Sequence, residues 1–224
     1  MNDPTEMLFV VAIVAVLVVI VVASWIARKR RREAMQAVAN RLGLHFEPGS
    51  NKRIVRQLNF LDQLRQGHGQ YARNILRGEY HDHSVMAFDF HYTTGSGKNR
   101  QHHEESFFVL TLPQSFPELR VYPENFLSKI GQAFGYADID FESVEFSDAF
   151  TVRSKDKKFA YDVCHTRMME FMLKHRSLSF EIERDYLTTG ATRRLEPPQI
   201  QAGFDRLIQL HDLMPNYLFE NTRN

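Results

Sequence analysis

The run Met7 to Ala27, MLFVVAIVAVLVVIVVASWIA, carries no charge and has Ser24 as its one conventional polar side chain. As a helix rising about 1.5 Å per residue it covers roughly 30 Å, the thickness of a bilayer's hydrocarbon core. A cleaved secretory signal would need a basic flank before a shorter apolar stretch and a small-residue cleavage site after it. Here Asp3 and Glu6 precede the run, and Arg28, Lys29, Arg30, Arg31 and Arg32 follow it. The expectation is a transmembrane helix over 7–27, a short extracytoplasmic N-terminus at 1–6, a basic juxtamembrane stop at 28–32 and a cytosolic remainder, because five adjacent cations resist translocation. Trp25 and the five basic residues are the expected membrane-interface set, with anionic headgroups attracting each cation by roughly 1 kcal/mol.

Of the 28 basic and 27 acidic residues, five and two sit on these flanks, which leaves 23 against 25 in residues 33–224. A net charge near −2 without a concentrated basic surface gives no reason to expect a nucleic-acid partner. The single cysteine, Cys164, has no internal disulfide partner and agrees with a reducing compartment.

Periodicity organises the rest. Met35, Val38, Ala39 and Leu42 recur at helical spacing and Gly43 is placed to stop the helix, which continues from the membrane segment or follows it closely. A short strand in LGLHFEP, a helix within Lys52 to Leu64 and a loop over RQGHGQYARN follow. Three strands are expected at Asn74–Tyr80, Val85–Thr93 and Glu105–Leu112. In the second, Met86, Phe88, Phe90 and Tyr92 alternate with Val85, Ala87, Asp89 and His91, the pattern of a half-buried strand. Downstream come a strand at Leu119–Tyr122, a helix from about Glu124 to Phe134, and extended pieces at Asp138–Phe141 and Phe150–Arg153. Helix over Lys157 to Lys174, broken near Thr166, is followed by a hairpin pairing Leu178–Ile182 with Tyr186–Thr189, and by a helix from Pro197 to Leu213. The sum is a single α+β domain over 33–224, an antiparallel sheet with flanking helices behind one N-terminal membrane helix.

TTGSGKNR, Thr93 to Arg100, imitates a phosphate loop. That motif needs a glycine where Tyr92 stands and a hydroxyl where Asn99 stands, and it joins a strand to a helix rather than two strands. Gly95 and Gly97 are better suited to positive φ at a hairpin tip. His81 and His83 lie at the opposite end of the second strand from His102 and His103, so they do not pool into one metal site. His91 with His102 or His103 is the remaining geometry, and solvated histidines are the simpler expectation. Cys164 and His165 are neighbours on a helix and point about 100° apart, which leaves a buried thiol beside a polar residue. Asp138, Asp140 and Glu142 share one face if their segment is extended, opposite Ile139 and Phe141, and read as a solvated surface. No catalytic residue, metal ligand or cofactor is assigned.

NILRGEYHDHSVMAFDFHYTTGSGKNRQHHEESFFVLTLP, followed by YPENFLSKIG, DIDFES and FSDAFTVRSKDKKFAYDVC, resembles a group of uncharacterised bacterial membrane-anchored proteins. The resemblance covers most of residues 33–213, implies a bacterial inner-membrane setting and brings no catalytic residue with it. The expected function is a non-catalytic interaction module tethered at the cytosolic membrane face, binding a protein partner or lipid headgroup through Lys98, Asn99, Arg100, His102 and His103. The competing expectation is a membrane-anchored hydrolase with a site drawn from Asp89, His91 and the nearby histidines.

Overall fold

The computed structural model describes residues 4–124, 138–191 and 193–222. The apolar run, the basic cluster and the amphipathic segment form one unbroken helix, α1 (Pro4–Leu42). Its most apolar 18-residue window has a mean hydropathy of 3.3 and stands wholly clear of the domain, so among the described residues there is one helix long and apolar enough to cross a membrane. Beyond that window α1 becomes one-sided: Met35, Val38 and Ala39 are buried while Gln36 and Asn40 face out. The helix ends at Gly43, whose φ of +70° closes a C-terminal cap in which the amide of Leu44 donates to the carbonyl of Ala39 at 2.9 Å.

Six antiparallel strands make one sheet: β1 (His45–Glu47), β2 (His68–Tyr80), β3 (His83–Thr94), β4 (Gln101–Pro123), β5 (Phe150–Ser154) and β6 (Phe180–Ala191). The order is β1-β2-β3-β4-β5, and β6 runs along the other edge of β4. The 23 residues of β4 serve β3 with their first half and β5 with their last five, while β6 pairs along both halves.

Helices cover both faces. On one side α1, α3 (Val144–Ala149), α4 (Lys157–Val163), α5 (Thr166–Lys174) and α6 (Ile200–Leu213) bury Val85, Ala87, Phe108 and Leu110. On the other, α2 (Lys52–Gln57) and a 3-10 turn at Asp62–Arg65 bury Phe88, Phe90, Tyr92 and Phe107. At roughly 1.5–3 kcal/mol per large apolar side chain, these two layers are the main source of stability. Residues from Met35 to Met214 share the first cluster, so the two halves of the folded domain rest on common ground.

Several expectations need correction. Strand β3 is buried on both faces rather than half-buried, since Asp89, 2% exposed, lies under α1. The expected loop over residues 65–74 is strand from His68 on: Gly69 has positive φ, yet His68 pairs with Thr93 and Tyr71 with His91, while Gly67 makes the bend before β2. Glu105–Leu112 and Leu119–Tyr122 are one strand with an irregularity near Phe116. The expected hairpin at 178–189 is also one strand, β6, which keeps pairing with β4 past Arg184 (φ 57°). Helix α3, capped by the Ser143 hydroxyl accepting from the amide of Phe146, lies between the expected extended pieces at 138–141 and 150–153. The expected break in the 157–174 helix falls between α4 and Thr166, the first residue of α5. The expected helix after Glu124 lies outside the described residues.

Candidate functional site at the helix and sheet junction

One turn beyond the apolar run, α1 turns Arg31 toward the sheet. Its Nε donates to Asp89 Oδ2 at 3.1 Å and its Nη2 to Oδ1 at 2.8 Å, a two-pronged pair with side chains 9% and 3% exposed. Strand β2 breaks register between Arg73 and Leu76, and within the break Asn74 adopts φ 52°. This bulge aims the Asn74 amide at Asp89, with Nδ2 donating to Oδ2 at 2.7 Å. Ser106, opposite Asp89 on β4, adds a long contact to Oδ1 at 3.4 Å and accepts from the amide of Leu195 at 2.9 Å. A buried carboxylate is stable only when so paired. Three elements thus converge on Asp89, which ties α1 to the sheet.

On the same face, Glu104 accepts from Arg73 at 2.8 Å and from Arg194 at 2.5 Å. Farther along, His91 packs edge-on to Tyr71 and lies 5.7 Å, ring to ring, from His102. The histidine rings are bound into the β3–β4 hairpin: His91 Nδ1 contacts the His103 carbonyl at 2.9 Å, His102 Nδ1 the Thr93 hydroxyl at 3.1 Å, and His103 Nε2 the Thr94 hydroxyl at 2.8 Å. Burial, and then the charge of Arg73 among its neighbours, lower the pKa of His91, against the pull of Glu104. Lys98, Asn99, Arg100 and His102 are exposed and His103 is half-buried, on a tip where Gly95 (φ 68°) and Gly97 (φ 56°) make the bend. Met35, Val38 and Ala39 pack in the cluster that holds Val85 and Ala87, and Arg31 meets Asp89. Read toward its N-terminus, α1 therefore follows β3 toward this hairpin.

Sequence reasoning missed two further groupings, both assembled over long separations. His83, His211 and Asp212 present donor atoms within 4.8 Å of one another, beside a hollow of about 490 Å³. His211 Nδ1 also contacts Asp212 Oδ1 at 3.2 Å, so two of the three side chains are already paired with each other. The other grouping lies on the α2 side of the sheet. Glu181, 1% exposed, accepts the amides of Asp62 and Gln63 at 3.0 Å each and so caps the 3-10 turn. Arg120 binds Asp62 at 2.9 Å and also Glu118 beside it. Burial raises the Glu181 carboxyl to about 7 despite the hydrogen bond from Tyr122.

Because that value is raised in the folded state, the proton stabilises the fold fully below about pH 4.5, and this contribution is lost as pH rises through about 7. The loss is on the order of 3 kcal/mol at 1.36 kcal/mol per pKa unit. Glu181→Gln is expected to flatten the fall in unfolding temperature between pH 5 and pH 7.5 by more than half. An unchanged slope would place the titration elsewhere.

Fold and junction together define a class: an α+β domain with helices on both faces of one sheet, locked onto the end of a helix long and apolar enough to cross a membrane. Its fold is similar to that in the crystal structure of the mycobacterial trehalose monomycolate transport factor A, TtfA, with a TM-score of 0.59 and 14% identity, over 83% of this chain and 93% of that one. At that identity the likeness is one of fold alone. No protein-family model matches the chain, and no curated protein matches it.

Proposed function

We propose that this chain is a single-pass, membrane-tethered interaction module without catalytic activity, held at the cytosolic face of a bacterial inner membrane with its N-terminus outside. It binds a protein partner or lipid headgroup there, with the β3–β4 hairpin bearing Lys98, Asn99, Arg100, His102 and His103 as the partner surface. The observation that carries this reading is the unbroken passage of α1 from the apolar run into the Arg31–Asp89 lock. A flexible linker would only concentrate the domain near the membrane; a docked helix also fixes which side meets a partner, and so lowers the ordering cost of binding. The direction of α1 along β3 supports a hairpin on the membrane-facing end. The setting agrees with the five cations after the apolar run.

Crosslinked co-purification of the full chain from native membranes, with mass spectrometry, tests the hairpin. The parent is expected to recover a specific protein that the Lys98→Glu, Arg100→Glu variant loses. Equal recovery by both forms, or none by either, would contradict the partner surface.

A further inference from the structure

A cleft of about 80 Å³ opens between α1 and the sheet where the apolar run ends. Arg28, Arg31 and Arg32 line it from α1, Arg73 and Asn74 from β2, and Arg194 from beyond β6. Two carboxylates face these five guanidiniums: Asp89 on Arg31, and Glu104 between Arg73 and Arg194. Three positive charges are therefore in excess.

The cleft also holds a built but unanswered hydrogen-bond set. Arg31 spends Nε and Nη2 on Asp89, and its Nη1, buried on a side chain 9% exposed, has no hydrogen-bond partner. Asn74 gives Nδ2 to Asp89 and leaves its buried Oδ1 without a donor. Such buried groups call for a ligand or water, and here a spare donor and a spare acceptor belong to two residues that line the same cationic cleft. A phosphodiester oxygen answers the guanidinium and a headgroup hydroxyl answers the amide oxygen.

Position selects the source. Ala27, the last residue of the apolar run, lines the same cleft. At 1.5 Å per residue Arg31 lies about 6 Å past it, inside the headgroup layer, which adds roughly 5–8 Å to each side of the hydrocarbon. We propose that this cleft is a binding site for the headgroup of an anionic, hydroxyl-bearing phospholipid such as phosphatidylglycerol, in the leaflet beside α1. The inference rests on the membrane-tethered reading and gives it a lipid ligand at a second surface, separate from the hairpin.

The full chain in nanodiscs of equal phosphatidylglycerol and phosphatidylcholine, followed by native mass spectrometry of the lipids it retains, tests the site. Retention is expected to favour phosphatidylglycerol by roughly tenfold. Arg28→Gln with Arg32→Gln removes two exposed cleft cations and is expected to bring the preference within about twofold. Lys29→Gln with Arg30→Gln removes the same charge from the same run outside the cleft, and should keep most of the preference. Equal losses in the two variants would overturn the site in favour of diffuse attraction to the basic run. Displacement of the lipid by millimolar inorganic phosphate would overturn the lipid as its ligand and indicate a soluble anion. A chain that fails to enter nanodiscs would overturn the tether and the cleft together. Loss of lipid preference with an intact, hairpin-dependent protein partner would overturn the cleft alone.

Discussion

Asp89→Ala is expected to destabilise the folded domain by about 3–5 kcal/mol, because it strands Arg31 in a buried site without its carboxylate. For a domain of this size that is roughly 10–15 °C in unfolding temperature. Asn74 loses its acceptor at the same time, which adds to the cost. Arg31→Met should cost a similar amount by stranding Asp89. Combining Arg31→Met with Asp89→Leu removes both charges and is expected to recover at least half of the loss, as apolar replacement of a buried pair often does. Thermal unfolding of the full chain in detergent, followed by circular dichroism, reads all four states. Additive losses would show that the two side chains act independently, against the lock.

The second large effect lies where α6 meets the sheet. Phe204 is fully buried, with its ring 5.4 Å from Phe108 and 5.6 Å from Tyr80. Phe204→Ala leaves a cavity between α6 and the two strands and is expected to cost about 3–5 kcal/mol. Its neighbour fails in the opposite direction: a Cβ at Gly203 would lie 2.2 Å from the Phe108 ring, so Gly203→Ala pushes helix and strand apart and should cost about 1–3 kcal/mol. Equilibrium unfolding in denaturant measures both. A Phe204→Ala loss below about 1 kcal/mol would mean that α6 does not complete the core.

The parts of the fold legible in the sequence are those that local physics controls. An unbroken apolar run, helical spacing up to Gly43 and strict alternation through Val85–Thr93 each act within a few residues, and the corresponding helix and strand formed. Strand β6 was misread because Glu183, Arg184 and Asp185 look like a turn; β4 supplies a continuous template that carries the chain through them. Asp89 looked like a residue on a wet face because its partner lies 58 positions away on a helix whose cations suggested only a membrane flank. The same distance hid the cleft: Arg73 and Arg194 are unremarkable in sequence, and only the bulge at Asn74 and the path after β6 bring them beside Arg28 and Arg32. A glycine signals a loop at Gly69, where positive φ coexists with membership of strand β2.

The apolar helix runs without a break into a docked position on the sheet. Spin labels placed one at a time from Val18 to Ala39, in a Cys164→Ala background and in bilayers, test it through their accessibility to oxygen and to a water-soluble nickel reagent. Oxygen should dominate as far as Ala27, and nickel beyond it, with a 3.6-residue period and protection from both at 31, 35, 38 and 39. Loss of the helical period between 27 and 34, or free nickel access at 31 and 35, would show a hinged tether and contradict the docked helix.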